Sequence, residues 1–110
     1  MMPKKKEYII KELTMQHKLE YIFNYYGLKN QILKLQEELI ELEAEINKVL
    51  MDVSKGGTFF PEGDHLDMLD EIADVLVVCE QFKNAFPLIG EIMESKVNRT
   101  IERIGYETVS

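Results

Sequence analysis

Two pairs of acidic residues carry the chemistry this chain could do: Glu38 with Glu41, and Glu71 with Asp74. Residues three apart on a helix share a face, so each pair would offer carboxylate oxygens side by side. Hard divalent cations take oxygen ligands, and Mg²⁺ is usually held by a few carboxylates while it keeps waters and gathers phosphate oxygens. The expected chemistry is therefore metal-assisted work on a phosphate substrate, with Mg²⁺ as the ion and Mn²⁺ as its substitute. Each pair also has a plainer reading. Glu38 and Glu41 could be solvated flank charges of a heptad helix. Glu71 and Asp74 could be ion-paired with Lys34, Lys96, Arg99 or Arg103. The second pair carries more weight, because Asp74 interrupts the apolar run Ile72 to Cys79. A helix apolar all round is expected to be buried, and an unpaired charge there is costly.

Other metals fit less well. Zinc is disfavoured because two histidines and one cysteine are present and none are spaced as ligands. Di-iron bundles use a Glu-x-x-His pair on each of two helices. His17 has Thr14 in place of a glutamate at that spacing, so the set cannot be completed.

The elements that must position these residues are helical. From Glu7 to about Tyr26 the apolar residues fall mostly at helical spacings, with Thr14 able to cap a break midway and Gly27 closing the segment. From Leu28 to Ser54, Leu28, Ile32, Leu35, Leu39, Leu42, Ile46, Val49 and Val53 form a heptad seam, with Gln31, Lys34, Glu38, Glu41 and Glu45 along one flank. Lys55 to Gly63 contains turn residues and no sustained period, so it is expected to be a loop. Its Gly56-Gly57 lacks the lysine and the preceding strand that a phosphate cradle needs. Phe59 and Phe60 beside it are expected to pack on core, base or a second subunit. Asp64 is a good cap for a helix running to about Ala85, and Pro87 suits the first turn of another that ends at Gly105. No alternating strand pattern occurs. The expected fold class is all-α, a bundle of four to five helices in a single domain spanning residues 1–110, with residues 1–6 a flexible basic tail.

The chain has 110 residues and a net charge of −7, with 45% hydrophobic and 30% charged residues. That is the balance of a folded domain. The acidic excess disfavours nucleic acid and anionic membranes as partners, since phosphate contacts need Lys and Arg. No apolar stretch approaches a membrane span and no signal peptide is evident, so a cytoplasmic location is expected. The lone Cys79 sits in an apolar run and reads as a buried thiol. A domain this small leaves much apolar surface open, which favours a homodimer, then a homotetramer.

Glu37-Glu38-Leu39-Ile40-Glu41-Leu42 followed by Glu71-Ile72-Ala73-Asp74-Val75-Leu76 resembles the signature of the MazG-like nucleotide pyrophosphohydrolases. Tyr26-Gly27 and Gln31 ahead of the first motif, and Lys96-Val97-Asn98-Arg99 after the second, resemble the short, phage-type members. The spacer from Glu41 to Glu71 is longer than usual for that family. The resemblance implies an all-α dimer or tetramer that hydrolyses nucleoside triphosphates to monophosphate and pyrophosphate. It implies Mg²⁺ held by Glu38, Glu41, Glu71 and Asp74, with Glu38 or Glu41 as the catalytic base. Gln31, Lys34, Lys96 and Arg99 are the expected substrate-binding residues. Two competing expectations stand beside it. One is a non-catalytic helical interaction module; the other is a narrow-substrate relative such as a dimeric dUTPase or a phosphoribosyl-ATP pyrophosphohydrolase.

Overall fold

The computed structural model describes residues 13–59 and 63–105, apart from the side chain of residue 64. The expected basic tail at residues 1–6, the helical stretch from Glu7 to Glu12, and Phe60 lie outside the described residues. Four helices and no strand occur among the described residues: α1 (Met15–Tyr26), α2 (Leu28–Ser54), α3 (Asp64–Ala85) and α4 (Leu88–Ile104).

Each boundary has a local cause. Thr14 caps α1, its hydroxyl oxygen accepting the His17 N–H at 3.2 Å. Gly27 alone joins α1 to α2; its φ of 86° suits glycine, and its N–H bonds the Phe23 carbonyl to close α1. The second loop folds back tightly. The Gly57 N–H donates to the Asp52 carbonyl at 3.1 Å, and a Cβ at residue 57 would lie 2.9 Å from that same oxygen. Pro87 sits just before α4 instead of inside its first turn, with helical φ and ψ of −55° and −23°. Gly105 ends α4 in the left-handed region.

Helices α2 and α3 run antiparallel and make the most extensive contact, with α1 laid mainly across α3. Gln31 near the start of α2 bonds Gln81 near the end of α3, and Asp52 at the end of α2 bonds His65 at the start of α3. Phe23 of α1 meets Phe82 and Phe86 edge-on, with centroids 5.3 and 6.3 Å away. Helix α4 packs chiefly on α3 and is exposed from Glu91 to its end. The Cα extents, 57 × 41 × 27 Å, are those of an elongated chain.

Two expectations need correction. The inward face of α2 is turned from the middle of the heptad seam toward its acidic flank, keeping Leu42 and Val49 of the seam. At about 100° per residue, the buried arc is centred on Gln31, Glu38, Leu42 and Val49, which brings the acidic flank inward and leaves Ile32 and Leu39 exposed. Helix α3 is not buried all round either. Val78 is covered, but Leu66, Leu69, Leu76 and Val77 remain open, because α1 and α2 shield one side of α3 and α4 angles away. Among the described apolar residues Val49 and Val78 alone are fully buried, while Gln31, Glu38, His65 and Gln81 are buried polar ones. Among the described residues, buried polar side chains thus outnumber buried apolar ones, and many large apolar residues are exposed. Cys79 is half-buried, and burial, then the Glu80 charge, raises its thiol pKa.

Candidate metal and nucleotide site

The inward rotation of α2 sets its glutamates against α3. Glu38 is 5% exposed, and carboxylate oxygens of Glu38, Glu71 and Asp74 lie within 4.8 Å of one another. Glu37, Glu38 and Glu41 make a second group at the same spacing, so Glu38 belongs to both. Glu71 feels the charges of Glu41, Asp74, Glu38 and Asp70, and Glu38 links the group that holds Glu41 to the group that holds Glu71 and Asp74.

Such crowding leaves electrostatic traces. Burial, then the neighbouring Glu41 charge, raises the Glu71 carboxyl pKa above its ordinary value. The Glu38 charge, then desolvation, raises that of Glu41. Among the described residues, the cation that pairs with the cluster is Lys34, whose Nζ lies 3.0 Å from Glu38 and 3.4 Å from Glu37. Hydrogen bonds to these carboxylates raise the Lys34 pKa. Half exposed as it is, Lys34 satisfies one oxygen of Glu38. Glu38 Oε2 and Glu71 Oε2 are both buried and have no hydrogen-bond partner. Glu45 also has one buried unpartnered oxygen, its other being 3.1 Å from Lys48 Nζ.

Buried anionic oxygens without donors are costly unless a cation meets them. Hard acceptors, no nitrogen or sulfur ligand and a partly open face suit Mg²⁺ or Mn²⁺. The ion pairing that is the plainer reading of Glu71 and Asp74 does not occur among the described residues, where Lys34 pairs instead with Glu37 and Glu38. Lys96, Arg99 and Arg103 project from the exposed part of α4 and form no ion pair with Glu71 or Asp74. Glu62 and His65 do have the Glu-x-x-His spacing, yet His65 directs Nε2 to Asp52 at 2.9 Å and stacks on Phe59 at 5.1 Å.

Beside the cluster, α1, α2 and α3 enclose an open groove of about 560 Å³. Glu37, Glu38, Lys34 and Asp74 form its acidic end; Gln31, Gln81, Asn30, Tyr26, Ile22 and Val78 line the remainder. Of the expected substrate-binding residues, Gln31 and Lys34 are therefore at the site. Lys96 and Arg99 do not line the groove; Arg99 instead borders a shallow cleft formed on α4 itself with Glu94, Asn98 and Glu102.

A groove residue missed in the sequence is Gln81. Its signal is the spacing: Gln81 stands seven residues beyond Asp74, just as Gln31 stands seven before Glu38. Both amides thus lie on the faces that carry the acids.

Set against models of protein families, curated protein sequences and solved structures, the chain matches none. No helix among the described residues is long and apolar enough to cross a membrane.

Proposed function

We propose that the protein is a Mg²⁺-dependent nucleotide pyrophosphohydrolase, cleaving a nucleoside triphosphate to the monophosphate and pyrophosphate. The observation that carries this reading is the gathering of Glu38, Glu71 and Asp74 carboxylates within 4.8 Å, with one buried, unpartnered oxygen on Glu38 and one on Glu71, beside an open groove that Glu38 and Asp74 line. Glu38, Glu41, Glu71 and Asp74 hold the metal. Bound there, Mg²⁺ would supply the positive charge that an acidic site needs to accept a triphosphate and release pyrophosphate.

The chain's own groups do the rest. Glu41, exposed like Glu37 and Asp74, is the group we assign as general base. It takes the proton of the water that attacks the α-phosphorus, and the α–β phosphoanhydride bond breaks. Glu38, buried and held by Lys34, is the fixed ligand. Gln31 and Lys34 contact the nucleotide along the groove. Lys96 and Arg99 reach phosphate from a neighbouring subunit, which is consistent with the exposed apolar stripe Ile92, Met93, Val97 and Ile101 beside them. The working unit is then a homo-oligomer.

The test is pyrophosphate release from a panel of ribo- and deoxynucleoside triphosphates, with and without Mg²⁺. The native chain should turn over in a metal-dependent way, and Glu41→Gln and Asp74→Asn should each lower the rate by about a hundredfold or more while the helical fold persists. Absence of turnover on every nucleotide, with both variants at least as stable as the native chain, would leave an interaction module as the reading.

A further inference from the structure

Gln31 and Gln81 are unusual occupants of a helix interface. They are 4% and 2% exposed, they bond each other at 2.7 Å, and both line the groove beside the acidic cluster. Neither side chain makes a second hydrogen bond among the described residues. A carboxamide offers a carbonyl acceptor and an amino donor. In the arrangement seen, Gln31 Nε2 donates to Gln81 Oε1, which leaves the Gln31 carbonyl and the Gln81 amino group for a ligand. Rotating both amides by half a turn reverses the shared bond and exchanges the two free groups. In either state the pair keeps one donor and one acceptor beyond the bond it shares.

A nucleobase presents the complement of that pattern on its Watson–Crick edge. Uracil and guanine offer a ring N–H beside a carbonyl, whereas cytosine and adenine offer an amino group beside a ring nitrogen. Tyr26, Ile22 and Val78 line the same groove and supply surface for the base plane. We infer that the Gln31–Gln81 pair is the base-reading element of this site, and that its paired flip lets one pocket accept both keto and amino bases. The inference rests on the nucleotide reading given above and deepens it. The substrate class is broad, defined by an intact Watson–Crick edge and not by one base.

The experiment compares UTP with its 3-methyluridine analogue, and GTP with its 1-methylguanosine analogue, in Mg²⁺-dependent pyrophosphate release. Binding of the corresponding monophosphates is measured by titration calorimetry. The native chain should accept UTP, CTP, ATP and GTP with similar kcat/KM and disfavour each methylated analogue by about ten- to a hundredfold. The double variant Gln31→Met/Gln81→Met removes both partners in matched volume, which generally preserves packing. It should lose the discrimination against methylated bases while its melting temperature stays close to native. Hydrolysis of native and methylated nucleotides at equal rates would overturn the base-reading role and leave the enzymatic reading intact. A double variant that keeps its discrimination would likewise overturn it, reducing the pair to a tie between helices. Failure of the native chain either to hydrolyse or to bind any nucleotide would overturn both.

Discussion

Glu71→Gln is the sharpest perturbation of the proposed metal site, because it removes one anionic ligand and keeps the shape of the side chain. Linkage raises the stability of a metal-binding fold by about 2.7 kcal/mol at a hundredfold excess of metal over its Kd. An unfolding entropy of about 2.1 cal/mol/K per residue, over 110 residues, gives about 0.23 kcal/mol/K for the chain. Saturating Mg²⁺ should therefore raise the native Tm by about 12 °C, and the gain should largely vanish in Glu71→Gln. Without metal the sign is opposite. The folded chain raises the Glu71 pKa through burial and the charges of Glu41, Asp74 and Glu38. A carboxyl whose folded pKa exceeds its unfolded one contributes stability below the unfolded value and loses it as pH rises through the folded value. The metal-free native chain should thus lose stability relative to Glu71→Gln as pH climbs from the carboxylate range to neutrality. Thermal denaturation by circular dichroism, at fixed protein concentration with Mg²⁺ or with chelator, reads both effects. If Mg²⁺ leaves the native Tm in place and Glu71→Gln melts lower than native in chelator at neutral pH, the carboxylates are structural and the reasoning is wrong.

Two further outcomes test the fold and the assembly. Gly57→Ala pushes a methyl group against the Asp52 carbonyl, 2.9 Å from the new Cβ; it should cost about 1–3 kcal/mol in urea unfolding, and an unshifted midpoint would mean the loop yields freely. Val97, 58% exposed on the uncovered stripe of α4, should sit in a subunit interface, so Val97→Asp should shift the assembly toward monomer in light scattering; a native chain already monomeric at assay concentrations would remove the shared-subunit role of Lys96 and Arg99.

Helix α2 was legible to the residue, from Leu28 to Ser54, because a long periodic run between two breakers leaves few alternatives. The cap at Thr14 and the stops at Gly27 and Gly105 were legible for the same kind of reason, since each is a local demand on backbone geometry. The rotation of α2 was not. A seam of Leu and Ile predicts an inward face only when a partner helix is present to cover it, and within one subunit the covering helix meets the flank that carries Gln31, Glu38 and Glu45.

Sequence by itself therefore determined the four helices, their order and the candidate acids, because spacing on a helix is a property of the chain alone. Tertiary structure decided that Glu38, Glu71 and Asp74 share one place, that two oxygens there lack donors, and that Gln81 stands beside Gln31. It also decided that Lys96 and Arg99 stay apart from the acids they could have neutralised. Those facts depend on how α2 and α3 cross and on where α4 points, and distances between helices are set by packing, which no spacing along one helix encodes.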